Sequence, residues 1–120
     1  MSGPGYRLTE AAADDTRDIL KASARQFGPL QRERYAKLLI KAAEMLAQDP
    51  ERPGSWNRND LRKGVRSFHV EHAAGRRGAA SHILYYLARH MDDGSNTIVI
   101  VRILHERMQP AHHLPETFDF

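Results

Sequence analysis

Apolar residues recur at helical spacing in two neighbouring segments in the first half of the chain. The first segment covers residues 10–27, and the small or apolar residues that recur there are Ala12, Thr16, Ile19, Leu20, Ser23 and Phe27. The second follows Gly28-Pro29, and its apolar positions are Tyr35, Leu38, Leu39, Ala42, Met45 and Leu46. This spacing predicts an amphipathic helix in each segment. Because the connection between them is so short, we expect an antiparallel helical hairpin.

Short sequence signals mark where these helices begin and end. Thr9 precedes the first helix and suits the N-cap, since its hydroxyl oxygen can accept from an amide of the first turn. Gly28 tolerates the left-handed conformation that ends many helices. Asp49-Pro50 stops the second helix, because proline cannot continue the helical hydrogen bonds. The residues from Tyr6 to Thr9 predict a short strand before the hairpin.

The second half of the chain carries the patterns of strands. Residues 65–72 alternate, with Arg66, Phe68, Val70 and His72 on one face and Ser67, His69 and Glu71 on the other. Residues 82–90 and 97–106 are rich in Ile, Val, Leu and Tyr, which favour strands. The order of elements predicts an α+β fold, in which an N-terminal strand and an antiparallel helical hairpin pack on a C-terminal antiparallel sheet.

In two segments between these elements, apolar residues do not recur at the spacing of a helix or a strand. Residues 50–58 are rich in proline and glycine and predict a loop, which we expect Trp56 to anchor to the core. Residues 73–80 include Arg76 and Arg77 and predict an exposed, mobile and basic loop.

The two long strands are joined by Asp92-Asp93-Gly94-Ser95. An Asp-Gly pair favours the tight type I′ turn, so we predict a two-residue loop at Asp93-Gly94. That loop fixes the register of the strands. The cross-strand pairs it predicts are Tyr85 with Arg102, Tyr86 with Val101, and His82 with His105.

The last strand is apolar on both faces. Alternation places Ile98, Ile100, Arg102 and Leu104 on one face, and Val99, Val101, Ile103 and His105 on the other. Such a strand is covered on both sides, and the helical hairpin can cover only one of them. We therefore expect a second copy or a partner to bury the other face, because exposed apolar faces usually mark binding sites.

Length and composition limit the classes of protein to which this chain can belong. The 120 residues suit a single domain over residues 1–120, with a core of about 6–110 and a tail of 111–120. The chain has no cysteine, which excludes a disulfide framework and thiolate zinc sites. No apolar run is long enough to span a membrane, and residues 1–5 lack the apolar run of a signal peptide. We therefore expect a cytoplasmic protein without membrane contact.

Positive charge is concentrated in the middle of the chain. The formal net charge is +3 at pH 7, and the basic stretch consists of Arg52, Arg58, Arg62, Lys63, Arg66, Arg76 and Arg77. Such a stretch attracts acidic partners, either nucleic acid or an acidic protein segment, or else it is a plain solvated surface.

Seven histidines raise the question of a metal or catalytic site. They show no standard ligand spacing on one element, and the sequence has no glycine-rich phosphate loop or nucleophile elbow, so we expect neither a metal nor a cofactor. His105, beside Arg102 and Tyr85, could act as acid or base in RNA cleavage. Histidine titrates near neutrality, and arginine can hold a phosphate. A histidine at a strand end is also a common structural residue.

Several segments also match a known family in their order and spacing. They are Tyr6 to Asp15 with Ile19, Phe27-Gly28, Tyr35, Asp49-Pro50, Val65 to Phe68, His82 to Tyr86, and Ile100 to Met108. Together they resemble the ParE toxins of the RelE/ParE superfamily of type II toxin–antitoxin modules. The resemblance runs from about residue 6 to residue 110.

The resemblance implies a helical hairpin on an antiparallel sheet, a ParD-like antitoxin whose C-terminal segment wraps the toxin, and DNA gyrase as the poisoned target. RelE-type members instead cut mRNA on the ribosome, with basic residues and a C-terminal tyrosine. The tail of residues 111–120 has no tyrosine, which favours the ParE type. The chain departs from the family in its long tail and at residues 73–81, which exceed the family's usual tight turn.

The leading hypothesis is a binding poison without enzymatic activity, which meets DNA only through its antitoxin. The antitoxin would cover the apolar sheet face and the helix surfaces, and its acidic groups would meet the basic stretch. Candidate contacts with partner or target are Arg66, Phe68, Tyr85, Tyr86, Arg102, His105, Arg107 and Met108.

Two alternatives remain open. The first is a ribosome-dependent endoribonuclease, with His105 as acid or base, Arg66 or Arg102 on the phosphate charge, and Tyr85 beside them. The second is an inactive module that only titrates an antitoxin and regulates its operon.

Overall fold

A computed structural model describes residues 5–116 and residue 118. Its elements are β1 (Tyr6–Leu8), α1 (Glu10–Phe27), α2 (Pro29–Gln48), β2 (Ser55–Asn57), β3 (Val65–His69), α3 (Glu71–Ala74), β4 (His82–His90) and β5 (Asn96–His105), followed by a 3₁₀ turn at Pro110–His112. The strands form one sheet in the order β1-β5-β4-β3-β2. β1 runs parallel to β5, and the other neighbours are antiparallel. The predicted α+β fold, a helical hairpin against a mostly antiparallel sheet, is confirmed.

The helical hairpin is fixed to the sheet at its first residue. The Thr9 hydroxyl oxygen accepts from the Ala12 amide at 3.1 Å, which confirms the predicted N-cap. The same hydroxyl donates to the Val101 carbonyl of β5 at 3.0 Å. At the far end, Gly28 has a φ of 90°, a conformation that glycine adopts at little cost. The chain therefore reverses directly into α2, with Pro29 as its first residue.

The face of the sheet that meets the helices, called the inner face here, holds the main core. Its buried strand residues are Phe68, Leu84, Tyr86, Ile98, Ile100 and Ile103. Their helical neighbours are Ala12, Leu39, Ala42, Ala43 and Leu46, with Ile19, Leu20, Tyr35, Leu38 and Met45 partly buried around them. The apolar positions predicted for α2 are confirmed. Phe27, counted among the apolar positions of α1, is instead 65% exposed.

The opposite face of the sheet, called the outer face, is buried as well. Its cluster consists of Val65, Tyr85, Leu87, Val99, Val101 and Leu104, together with Leu61 and Leu114. Leu61 precedes β3, and Leu114 belongs to the C-terminal segment, so the chain covers this face itself. The expectation that a second copy or a partner must bury this face is therefore wrong.

The connection between β4 and β5 is longer than predicted. His90 pairs with Asn96, so residues 91–95 form the loop in place of a two-residue turn at Asp93-Gly94. A β-bulge on β5 then shifts the register and leaves Val101 without a paired residue on β4.

The loop and the bulge shift the register in opposite directions, so the pairs beyond the bulge return to the predicted alignment. The pairs of Tyr85 with Arg102 and of His82 with His105 are confirmed, whereas Tyr86 pairs with Ile100 and not with Val101. The bulge also changes which face the later side chains occupy. Ile103 joins the inner cluster and Leu104 the outer one, the reverse of the predicted alternation.

The segment predicted as a loop at residues 50–58 contains the edge strand β2. Trp56 of β2 is 69% exposed, so its predicted role as an anchor to the core is wrong. It pairs with Ser67 of β3, and cross-strand partners share a face. Trp56 therefore lies at the margin of the outer face, where none of the described elements covers it.

The boundary predicted between a third strand and a basic loop is also wrong. β3 ends at His69 rather than at residue 72, and α3 takes up the following residues. Ala73 is buried within α3, and Ala80 is buried just before β4. The exposed basic part of this segment is therefore shorter than residues 73–80, although it keeps Arg76 and Arg77 at the surface.

Replacing Phe68 and Trp56 separately should distinguish their roles in stability. Phe68→Ala should lower the free energy of unfolding by about 3–5 kcal/mol, because Phe68 is fully buried on the inner face. Trp56→Ala should lower it by less than about 1 kcal/mol, as for other exposed positions. Urea unfolding followed by far-UV circular dichroism measures both. A loss above about 2 kcal/mol for Trp56→Ala would restore the anchor role.

Candidate functional site

Three side chains from different elements meet at one end of the inner face. Tyr35 of α2 reaches His82 of β4, with 2.7 Å between the hydroxyl oxygen and Nδ1. The Tyr35 oxygen accepts from the Ser81 amide at 3.3 Å, so we assign the hydroxyl proton to the bond with His82. The ring of His105, the last residue of β5, packs edge-on against His82 with 5.4 Å between the ring centroids.

Burial keeps the pair of Tyr35 and His82 neutral. It lowers the pKa of His82 to about 4, and the nearby His105 adds to that shift. Burial also raises the pKa of Tyr35 above its ordinary value. The contact between them is thus a neutral hydrogen bond at neutral pH, which positions α2 against β4.

A cavity of about 460 Å³ opens beside the cluster. Its walls come from α1, the start of α2 and residues 78–81, and His82 and His105 also line it. Phe27, exposed at the end of α1, is another of its lining residues. Among the described residues that line it there is no lysine, arginine or carboxylate, so the cavity offers no fixed charge to a phosphate.

A second histidine contact lies near the end of β5. The Glu71 amide donates to Nδ1 of His69 at 3.1 Å, so the neutral ring carries its proton on Nε2. That nitrogen lies 2.7 Å from Oε2 of Glu106. The hydrogen bond from His69 lowers the pKa of the Glu106 carboxyl. The contact ties the end of β3 to the residue after β5.

Arg102 serves the packing of α1 rather than a site around His105. Its Nε and Nη2 atoms donate to the Asp15 carboxylate of α1 at 2.7 and 2.8 Å. Its Nη1 atom donates to the His113 carbonyl at 2.8 Å. The guanidinium therefore links the first helix to the C-terminal segment.

The other residues of the nuclease alternative lie elsewhere. Tyr85 is buried on the outer face, where burial raises the pKa of its hydroxyl and the neighbouring Arg58 partly offsets the rise. Arg66 donates from Nε to the Ser55 hydroxyl at 2.8 Å, beside the edge strand β2. His105 faces His82 on the inner side. The structure thus does not bring the four residues His105, Arg102, Arg66 and Tyr85 into one site.

Besides Tyr85, two more of the candidate contact residues fill the core, and two lie on the surface. Phe68 and Tyr86 have no exposed surface, and the Tyr86 hydroxyl donates to the Pro50 carbonyl at 2.5 Å. We therefore leave both out of any contact surface. Arg107 and Met108 follow β5 and are exposed, Met108 by 47%.

Much of the basic stretch is used inside the fold. Arg52 donates to the Met45 carbonyl at 3.0 Å, and Arg58 donates to the Asp60 carboxylate through two bonds of 3.1 Å. Arg62 donates to carbonyls of the C-terminal segment. Sequence reasoning treated these residues as one charged surface. The partners of Arg62 lie more than 50 residues away along the chain and leave no local pattern.

An apolar groove, called the helical groove here, lies between α1, α2 and β1. Its volume is about 150 Å³, and its lining residues are Tyr6, Leu8, Thr16, Leu20, Ala36, Leu39, Ile40, Ala43, Leu84, Ile100 and Ile103. Leu8 is 38% exposed and Ile40 is 50% exposed. Sequence reasoning missed the groove, because both residues lie outside the predicted apolar positions. The available signal was an isoleucine on the otherwise polar face of α2.

Comparison with known proteins decides the family. The family model described as ParE toxin of type II toxin-antitoxin system, parDE, matches residues 6–110. The chain belongs to the ParE toxin family. Toxin ParE1 of Caulobacter vibrioides is 31% identical to it over 109 residues, which cover 91% of this chain and 96% of that relative. The resemblance found in the sequence is therefore confirmed over the range in which it was expected.

Metal sites and membrane-spanning helices are absent from the described part of this ParE-family chain. Within residues 5–116 and 118, no three histidine, cysteine or carboxylate side chains are grouped to hold a metal ion. No helix in that part of the chain is long and apolar enough to cross a membrane. The two histidines that contact each other already use Nδ1: His82 accepts from Tyr35, and His105 accepts from the Arg107 amide at 3.1 Å.

Lowering the pH should destabilise this ParE-family chain through His82. Its pKa is about 4 in the folded chain and about 6.5 in an unfolded chain, so the unfolded chain binds the proton first as the pH falls. Stability is lost from about pH 6.5 down to about pH 4, by up to about 3 kcal/mol. His82→Gln should remove this part of the pH dependence, measured by urea unfolding at several pH values across that window.

The comparison needs a matched histidine, since carboxylates also titrate in this range. His69 and His105 disfavour the charged form of His82, whereas Glu106 and Asp15 favour it. His112→Gln, at an exposed position, should leave the wild-type slope unchanged. Identical pH slopes for wild type and His82→Gln would contradict the assignment.

Proposed function

We propose that this chain is the toxin of a type II toxin–antitoxin pair, that it poisons DNA gyrase in the cytoplasm by binding it, and that a ParD-like antitoxin neutralises it. Membership of the ParE toxin family supports the toxin role. The observation that carries the choice of binding over RNA cleavage is the dispersal of the nuclease residues. The His105 imidazole faces His82, whereas the guanidiniums of Arg102 and Arg66 are engaged elsewhere.

We place the target contact at the end of β5. Arg107 and Met108 are both exposed there, and His105 beside them is half-buried. An arginine and a flexible apolar side chain on one short segment are typical of residues that anchor protein interfaces. His105 supports the segment from beneath, because its Nδ1 accepts the Arg107 amide.

We place the antitoxin on the helical groove. The outer face of the sheet is covered by the chain itself, so the groove is the better candidate for a first contact. Leu8 and Ile40 expose apolar surface at its margin while Tyr6 and Leu20 line it. A partner side chain that entered this groove would bury apolar surface on both sides, which stabilises association.

An activity assay on the purified chain tests the target. We expect it to inhibit supercoiling by gyrase and to leave ribosome-bound mRNA uncut. Arg107→Ala should weaken the inhibition by about tenfold, as loss of an interface anchor does. Arg77→Ala, at an exposed arginine of the basic loop, is the matched control and should inhibit like wild type.

Other outcomes of this assay separate the alternatives. Cleavage of ribosome-bound mRNA without gyrase inhibition would replace the proposal with the endoribonuclease. Neither activity, together with tight antitoxin binding, would favour the module that only titrates its antitoxin.

Substitution in the helical groove tests the antitoxin surface. Ile40→Asp should lower antitoxin affinity at least about tenfold, because it places a charge in an apolar contact. Toxicity should persist, since Ile40 is half exposed on α2 and does not belong to the proposed target contact of Arg107 and Met108. Growth arrest with and without co-expressed antitoxin, and calorimetric titration, measure the two effects.

The control for the groove is an equally exposed apolar residue outside it. Leu30, near the start of α2, is 59% exposed and is not among the groove residues. Leu30→Asp should be toxic and fully neutralised. An Ile40→Asp chain that binds the antitoxin like wild type would rule out the groove as the docking surface.

A further inference from the structure

The C-terminal segment lies across the outer face of the sheet as a strap, defined here as residues 110–116. Leu114 is only 6% exposed and packs into the outer cluster with Val101 and Leu104. The described part of the strap contains a 3₁₀ turn at Pro110–His112 and belongs to no strand. It therefore covers the face with one buried leucine and without backbone pairing to the sheet.

Two arginines from other elements hold the backbone of the strap. Arg62 donates from Nε to the Pro115 carbonyl at 2.7 Å and from Nη2 to the Leu114 carbonyl at 3.2 Å. Arg102 donates from Nη1 to the His113 carbonyl at 2.8 Å. Three successive carbonyls are thus the acceptors of two guanidiniums. A carboxylate is a stronger acceptor for a guanidinium than a neutral carbonyl, particularly when it binds through both oxygens.

The two guanidiniums differ in how readily they could change partner. Arg102 already binds the Asp15 carboxylate through two of its nitrogens. Arg62 donates only to neutral carbonyls among the contacts described, including that of Leu61 at 2.5 Å. Arg62 is therefore the cation that gains most from an incoming carboxylate. Lys63 beside it is exposed and adds positive charge at the same margin.

Space also remains beside the strap. A cavity of about 550 Å³ is lined by Thr9, Glu10, Ala11, Val101, Arg102, Phe118 and residues 112–115. Thr9 lines this cavity, and the preceding residue, Leu8, lines the helical groove. One extended segment could therefore pass from the groove, around the start of α1, to the outer face. The two surfaces are neighbours along the backbone although they lie on opposite sides of the sheet.

We propose that the strap occupies, within the same chain, a docking surface for an acidic, leucine-bearing segment of the antitoxin. Binding requires the strap to open, a leucine of the partner replaces Leu114, and a partner carboxylate replaces the carbonyls on Arg62. This proposal rests on the proposed function, because it assumes that the chain has an antitoxin. Only molecules with an open strap can bind the antitoxin. The apparent affinity is therefore the affinity of the open form multiplied by the fraction of molecules that are open.

Variants of the full chain test the competition between strap and partner. Leu114→Ala weakens the strap and leaves the face beneath it unchanged, so it should raise the open fraction and the antitoxin affinity by about tenfold. Arg62→Ala also loosens the strap but removes the cation for the carboxylate, so affinity should fall. Met91→Ala, at an exposed residue of the β4–β5 loop, is the control and should bind like wild type.

The probe is a purified ParD-like antitoxin, and affinity is measured by calorimetric titration. Strap opening is followed separately, without the antitoxin, by hydrogen exchange of residues 110–116 and by binding of a dye specific for apolar surface. Both signals should rise in Leu114→Ala and in Arg62→Ala.

The results separate this proposal from the proposed function. If the wild-type chain binds the antitoxin but Leu114→Ala binds it equally or more weakly, the competing strap is overturned while the toxin–antitoxin pair stands. Tighter binding by Arg62→Ala would overturn the carboxylate contact. Unchanged hydrogen exchange in Leu114→Ala would also overturn the strap, because opening would then not depend on its anchor. A wild-type chain that does not bind the antitoxin would end both proposals.

Discussion

The Asp15 carboxylate organises the junction on which both layers of this fold depend. β1 pairs with β5 only as far as Ile100, so the edge of β5 beyond that point needs other partners. Asp15 accepts the Ile103 amide at 2.9 Å and two bonds from Arg102, and Thr9 donates to the Val101 carbonyl. The start of α1 thus takes the place of the missing strand. A carboxylate that accepts from both an edge amide and a guanidinium satisfies two groups at once. Leaving either group unpaired would cost free energy of folding.

This junction also connects the two sides of the sheet. The third bond of the Arg102 guanidinium reaches the His113 carbonyl, so α1, β5 and the C-terminal segment share one charged group. The bulge at Val101 lies beside it and sends Ile103 to the inner face and Leu104 to the outer face. Because these features are adjacent, a change in the contacts of Arg102 would alter the packing of the helical hairpin. It would also alter the packing of the C-terminal segment on the outer face.

Local patterns predicted most of the elements, and distant contacts decided the rest. The spacing of apolar residues and the Thr9 cap were sufficient for α1, α2 and the two long strands. The pairs of Tyr85 with Arg102 and of His82 with His105 were predicted from a turn that does not form, and they hold because the bulge at Val101 compensates for the longer loop. The exposure of Trp56, the helical groove and the partners of Arg62 and Arg102 depend on residues far apart in sequence, which local patterns do not encode.

The charged side chains of the nuclease alternative are separated in the described part of the chain. An RNA-cleaving site needs a proton-transfer group beside a cation that stabilises phosphate charge. Here the paired imidazoles of His82 and His105 lie in a cavity whose described lining has no arginine or lysine, and burial keeps His82 neutral at neutral pH. Arg66 and Arg102 instead orient the edge strand and the first helix. The arginines that looked catalytic in the sequence therefore hold elements of the described fold together.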